Sequence, residues 1–181
     1  NPAAGKPNVT VEIADANGAI HGKIVLGTAP VKYELRADRD AVYVFEFNST
    51  SHTVTIGSDM PGGGYPADSQ LALFRSGADF YFAVEPEAAE VSFLVQGEVQ
   101  ESLKAILYDA DGKPVAGSNK AFDGARLFSV PRKPAQKMEI WHLRMYDVVE
   151  DCSVRIGAPQ QPVLFTSPGA VVVPNRNRSG R

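Results

Sequence analysis

One cysteine, three histidines and one tryptophan in 181 residues remove several chemistries at the outset. A lone Cys152 excludes an internal disulfide and any thiolate metal cluster, and reads as a small apolar core residue. His21, His52 and His142 are too far apart in sequence to form the paired ligands of a helical zinc site. No Gly-x-Ser-x-Gly elbow occurs. Gly62-Gly63-Gly64 lacks the lysine and helix that a phosphate-cradling loop needs. No apolar run approaches the ~20 residues of a membrane-spanning helix. Neither charge sign dominates: 18 basic and 21 acidic side chains leave a formal −3, which gives no field favouring nucleic acid or an anionic membrane. The chain opens on Asn1-Pro2 without a basic-then-apolar leader, the expectation for a mature or excised piece. Helical periodicity is also missing, since no segment keeps a 3.6-residue apolar repeat beyond two turns.

What the chain does have is alternation, the period of a half-buried strand. Val91, Phe93 and Val95 alternate with smaller or polar neighbours, and Leu103, Ala105 and Leu107 repeat the pattern. Asp109-Ala110-Asp111-Gly112 then reverses the chain, its carboxylates bonding backbone N–H groups and its glycine taking positive φ. Val9, Val11 and Ile13 lead likewise through Asp15-Ala16-Asn17-Gly18 to a return over 20–26. Further strands are predicted over 31–35, 41–47, 53–56, 70–74, 79–84, 125–130, 137–145 and 152–156, with short pieces at 162–166 and 170–173. The stretch 60–66, rich in glycine and proline, is predicted as a surface loop. The fold class is all-β, an antiparallel β-sandwich.

An internal repeat organises these strands. Residues 12–22 read against 106–117 as strand, Asp-Ala-Asx-Gly turn, return strand and glycine. Each copy continues to a longer strand with an aromatic residue, Tyr43 or Trp141, and to a closing strand, Val54–Gly57 or Val154–Gly157. The repeat reads as duplication of one β unit, with re-use of common turn residues as the alternative. It divides the chain into an N-terminal β unit over 8–75 and a C-terminal β-sandwich unit over 78–174. Residues 1–7 and 175–181 are a linker and a polar tail.

The succession DFYFAV, VSFLVQG, LKAILYDADGKPV, EIWHLRMY and DCSVRIG resembles the bacterial pre-peptidase C-terminal-type β-sandwich and the jelly-roll accessory modules of secreted hydrolases. The resemblance covers 78–174, with a weaker echo over 9–57, and departs from the pattern in lacking a glycine-aromatic pair before the last strand. It implies a jelly-roll-like, non-catalytic module, extracellular or periplasmic, that serves secretion, spacing or substrate attachment of a larger bacterial enzyme. It carries no catalytic residues over to this chain.

Carbohydrate recognition needs exposed aromatic rings with a few polar groups to orient the sugar. Tyr65, in the glycine-proline stretch, is the first candidate, and Trp141 and Tyr43 follow. Asp68, Gln70 and Arg75 flank the stretch as polar partners. His142, beside Trp141, reads as a strand residue at a sheet surface. No cofactor is implied. Calcium is the metal best suited to the oxygen-rich turns, with Asp109 and Asp111 as ligands and Asp147, Glu150 and Asp151 nearby, although the same aspartates serve ordinary turns. Three functions compete. The first is an accessory module whose partner is a polysaccharide or a neighbouring catalytic domain. The second is a jelly-roll glycoside hydrolase or lyase using Glu46 and Glu139 as paired carboxylates. The third is a structural protein-interaction domain.

Overall fold

A computed structural model describes residues 9–15, 18–36, 43–47, 63–67, 70–75, 77–97, 101–157 and 163–171. They form thirteen strands: β1 (Val9–Asp15), β2 (Ile20–Leu26), β3 (Tyr43–Phe47), β4 (Gly64–Pro66), β5 (Leu71–Phe74), β6 (Ala78–Val84), β7 (Glu90–Gly97), β8 (Leu103–Tyr108), β9 (Pro114–Phe122), β10 (Gly124–Pro131), β11 (Glu139–Tyr146), β12 (Asp151–Ile156) and β13 (Val163–Phe165). One turn of 3-10 helix, Pro168–Ala170, follows. Every pairing is antiparallel. The expected strand over 31–35 is not one: Val31, Tyr33 and Leu35 alternate but enter no ladder. The expected loop at 60–66 contains β4, a three-residue edge strand. The strand expected over 53–56 lies outside the described residues.

The chain divides into two compact units, Asn1–Gly57 and Ser58–Arg181. The sequence reading extends the first unit to residue 75, but β4 and β5 pair with β13 and β12 of the second. In the first unit three strands lie in the order β2-β1-β3, with Val9, Val11 and Ile13 buried on one face of β1.

The repeat is realised bond for bond at its turns. Gly18 N donates to Asp15 O at 2.9 Å and Asp15 N to Ala19 O at 3.0 Å; Gly112 N donates to Asp109 O at 3.0 Å and Asp109 N to Lys113 O at 3.0 Å. In both, the aspartate Oδ1 accepts the backbone N–H four residues on, Ala19 at 3.0 Å and Lys113 at 2.9 Å. Gly18 and Gly112 sit at φ 82° and 76°, the left-handed region that an L side chain enters at a cost of ~1–2 kcal/mol. The flanking strands agree too. The order β9-β8-β11 in the second unit matches β2-β1-β3, and Leu103, Ala105 and Leu107 are buried where Val9, Val11 and Ile13 are in the first.

The second unit is a two-sheet sandwich. Counting from β5 to β12, one sheet runs first-eighth-third-sixth, β5-β12-β7-β10, and the other second-seventh-fourth-fifth, β6-β11-β8-β9. This is the order of a jelly roll, and β13 and β4 extend the second sheet beyond β6 to six strands. Phe80, Phe82, Trp141, Leu143 and Met145 from the larger sheet meet Val91, Phe93, Val95, Cys152, Val154 and Ile156 from the smaller in one core.

A buried guanidinium ties two connections together at one end of the unit. Arg132, with its side chain 6% exposed, donates from Nη1 to the carbonyl oxygens of Glu85, Pro86 and Ala88 at 2.8, 3.3 and 2.7 Å. Its Nη2 donates to Glu139 Oε2 at 3.0 Å, and Trp141 Nε1 donates to the same oxygen at 2.9 Å. The segment after β6 and the segment after β10 are thus held by one side chain.

Three stability predictions follow from this packing. Arg132→Met, which leaves Glu139 half-buried without its cation, lowers the unfolding free energy of the second unit by about 3 kcal/mol, read by urea titration with the single tryptophan as reporter. Asp109→Ala removes two backbone contacts, to Lys113 N and to Asp111 N at 3.0 Å, and costs about 1–2 kcal/mol in the same titration. Burial, with Asp151 and Glu101 adding to it, pushes the Cys152 thiol up to about 11. It is therefore expected to react with a thiol reagent at pH 8 only as fast as the unit opens, and prompt labelling of the folded chain would contradict its burial.

Candidate functional site

Strand alternation sends Phe80, Phe82, Trp141, Leu143, Leu107 and Ala105 into the core and turns their neighbours to the opposite face of the six-stranded sheet. On that outer face the register lines up one residue from each strand. Gly64 pairs with Phe165, Phe165 with Tyr81, Tyr81 with His142, His142 with Tyr108, and Tyr108 with Pro114. The rings stack. Tyr81 and His142 have centroids 4.7 Å apart and planes 12° apart; His142 and Tyr108 are 5.1 Å and 15° apart. At one end the row is closed by Gly64, where an added Cβ would lie 2.8 Å from Phe165 Cε1, so the absence of a side chain lets the phenyl ring lie over β4.

This row floors an open depression of about 480 Å³ lined by Tyr81, Tyr108, Ile140, His142 and Arg144, with Pro168 and the Asp109–Gly112 turn at its borders. The imidazole Nε2 of His142 lies 2.7 Å from Asp79 Oδ1. Arg144 Nε is 4.0 Å from that same oxygen, and the guanidinium lies over the Tyr146 ring, 5.3 Å from its centroid. Lys104 sits over Tyr146 as well, at 5.6 Å, and its Nζ is 2.7 Å from Asp147 Oδ2. That hydrogen bond and charge pair raise the ammonium above its ordinary value. One oxygen of each of the two nearest carboxylates is therefore engaged: Asp79 Oδ1 by His142, and Asp109 Oδ1 by the turn amides. By contrast the hydroxyls of Tyr81 and Tyr108 and the terminal nitrogens of Arg144 have no hydrogen-bond partner among the described residues.

The residues singled out in the sequence do not assemble here. Tyr65 is exposed, 46%, as a sugar platform requires, but it pairs with the core residue Leu164 and so stands on the other face of the sheet edge from the row. Trp141 is not a platform: it is 3% exposed, drawn inward by the alternation of β11, with its N–H satisfied by Glu139. Tyr43 belongs to the first unit, where it packs edge-on against His21 at 5.3 Å. Asp68 lies outside the described residues. Gln70 donates to Ser153 Oγ at 2.7 Å on the smaller sheet. Arg75 pairs with Glu150 at 2.6 Å, and this contact raises the guanidinium and lowers the carboxylate from their ordinary values.

The other acidic candidates are likewise placed. Glu139 is engaged by Arg132 and Trp141, a structural role, and Glu46 lies on β3 of the first unit, facing Glu12 of β1. Asp109 spends its Oδ1 on the turn, and Asp111 is exposed on it. Among the described residues no three His, Cys, Asp or Glu side chains group as a metal site would require. No helix there is long and apolar enough to cross a membrane. The sequence reading missed Tyr81 and Tyr108. Their signal was present, as polar aromatics at the outward positions of DFYFAV and LKAILY, with His142 outward in EIWHLRM.

No family model and no curated protein matches the chain. A solved structure of the Gx strain of infectious bursal disease virus is similar to it over 87% of this chain and 56% of that one, at 17% identity and a TM-score of 0.26. The chain thus spans little more than half the length of that structure.

Proposed function

We propose that this chain is a non-catalytic β-sandwich module that binds carbohydrate on the outer face of its six-stranded sheet, and that it serves outside the cytoplasm as an accessory part of a larger secreted enzyme. The observation that carries the binding role is the row Tyr81–His142–Tyr108 in the floor of the open depression, with its phenol hydroxyls unspent. Aromatic rings held rigid by their neighbours supply contact area with little ordering cost, and hydroxyls beside them fix the orientation of a polyhydroxylated ligand. The accessory role is supported by the likeness of the strand succession over 78–174 to modules of secreted hydrolases.

The test is a glycan array followed by calorimetry on the full chain. The oligosaccharide selected should lose about tenfold or more in affinity on Tyr81→Ala or Tyr108→Ala, and roughly threefold to tenfold on Tyr108→Phe, which keeps the stack and removes one hydroxyl. Tyr65→Ala should leave binding unchanged. Binding that survives both row substitutions would remove this face as the site, and an array without any binder would remove the function.

A further inference from the structure

We infer that the ligand of this face is an acidic glycan, a sugar chain carrying carboxylates, and that Arg144 is the residue that takes the carboxylate. The inference rests on the carbohydrate reading above and follows from an account of which hydrogen-bonding groups in the depression are still unspent. Three carboxylates, of Asp79, Asp109 and Asp111, lie at or beside it. Asp79 Oδ1 is held by His142 at 2.7 Å, with Arg144 Nε at 4.0 Å. Asp109 Oδ1 accepts from Asp111 N and Lys113 N at 3.0 and 2.9 Å. The protein itself thus takes one oxygen of Asp79 and one of Asp109, and Asp111 stands exposed on the bordering turn.

The donors stand open. Arg144 is 54% exposed at its side chain, and its Nη1 and Nη2 have no hydrogen-bond partner among the described residues, nor do the hydroxyls of Tyr81 and Tyr108. A guanidinium left with both terminal nitrogens open presents the planar fork that matches a carboxylate in a two-bond contact. The Tyr146 ring beneath it, 5.3 Å away, limits the freedom the side chain would otherwise lose on binding. On the ligand side, the aromatic row faces the depression and its rings are already stacked on one another. Hydrogen-bond acceptors reaching down to the phenols and the guanidinium meet these open donors.

The experiment uses the full chain and a panel of hexasaccharides in gluco, manno and galacto series, each made neutral, oxidised to the carboxylate at C6, or sulfated at C6. In at least one series the oxidised form should bind about tenfold tighter than its neutral counterpart, and this advantage should shrink as salt is raised. Arg144→Gln, an exposed substitution whose folding is checked by its melting curve, should bring the oxidised and neutral forms within about twofold while leaving the dependence on Tyr108 intact. Equal binding of neutral and oxidised forms by the unaltered chain, still lost on Tyr108→Ala, would overturn the acidic ligand and leave the carbohydrate reading standing. A sulfated form bound as tightly as the oxidised one would overturn the carboxylate in favour of charge alone. Failure of every sugar to bind would overturn both readings together.

Discussion

The register of β11 between β6 and β8 is the constraint on which the second unit depends. Trp141, Leu143 and Met145 point into the core, and His142, Arg144 and Tyr146 point away from it. A slip of one residue against either neighbour would exchange the two sets. The guanidinium of Arg144 would enter an interior lined by phenylalanine and leucine, and the indole would stand in water. Burial of an unpaired charge costs several kcal/mol, so the apolar core fixes the outer face without any interaction on that face having to do so. The site is thus a by-product of packing. Glu139 belongs to the same register: two residues before Trp141, it reaches both the indole N–H and Arg132, which settles the one polar group the tryptophan brings inside.

The outer row adds to this scaffold and draws on it. Each stacked aromatic pair contributes about 0.5–1.5 kcal/mol beyond its buried area, and the two contacts of His142 hold the imidazole between two phenols with its Nε2 on Asp79. The rings are consequently ordered before any ligand arrives. In this row the ring faces stabilise the sheet across neighbouring strands, and the phenol hydroxyls are left without a hydrogen-bond partner among the described residues. Gly64 and Phe165 close one end, and Pro114 stands opposite Tyr108 at the other.

Much of this architecture was legible in the sequence, because it rests on local signals. Strands β1, β2, β6, β7, β8, β11 and β12 follow from period-two alternation, and the two Asp-Ala-Asx-Gly turns follow from residues whose side chains and φ preferences act within five positions. Non-local features were not legible. Val31, Tyr33 and Leu35 alternate as well as any strand, yet alternation alone supplies no partner. Gly64-Tyr65-Pro66 reads as a loop, yet it pairs at a sheet edge, where proline is tolerated because one side of the strand needs no donors. Trp141 reads as a sugar platform, and only its burial decides against it. The row itself crosses five pairings between segments spread from Gly64 to Phe165. Each contributing strand shows an outward residue, and nothing in the chain order says that these residues meet.

The repeat sharpens where the stacked row resides. In the first unit the residue before the turn aspartate is Ala14, and it pairs with Val44; in the second unit the corresponding residue is Tyr108, and it pairs with His142. Tyr43 and Trp141 are the next positions along. Turn bonds, strand order and the buried face of the turn-forming strand agree between the two motifs, so the scaffold is common to both. The paired outward positions are what differ, aliphatic in one and polar aromatic in the other. A stacked row cannot form from alanine and valine, whatever the quality of the sheet beneath them. The stacked row therefore depends on two outward residues, Tyr108 and His142, of a three-strand motif that the chain uses twice, and it belongs to the copy whose His142 also pairs with Tyr81.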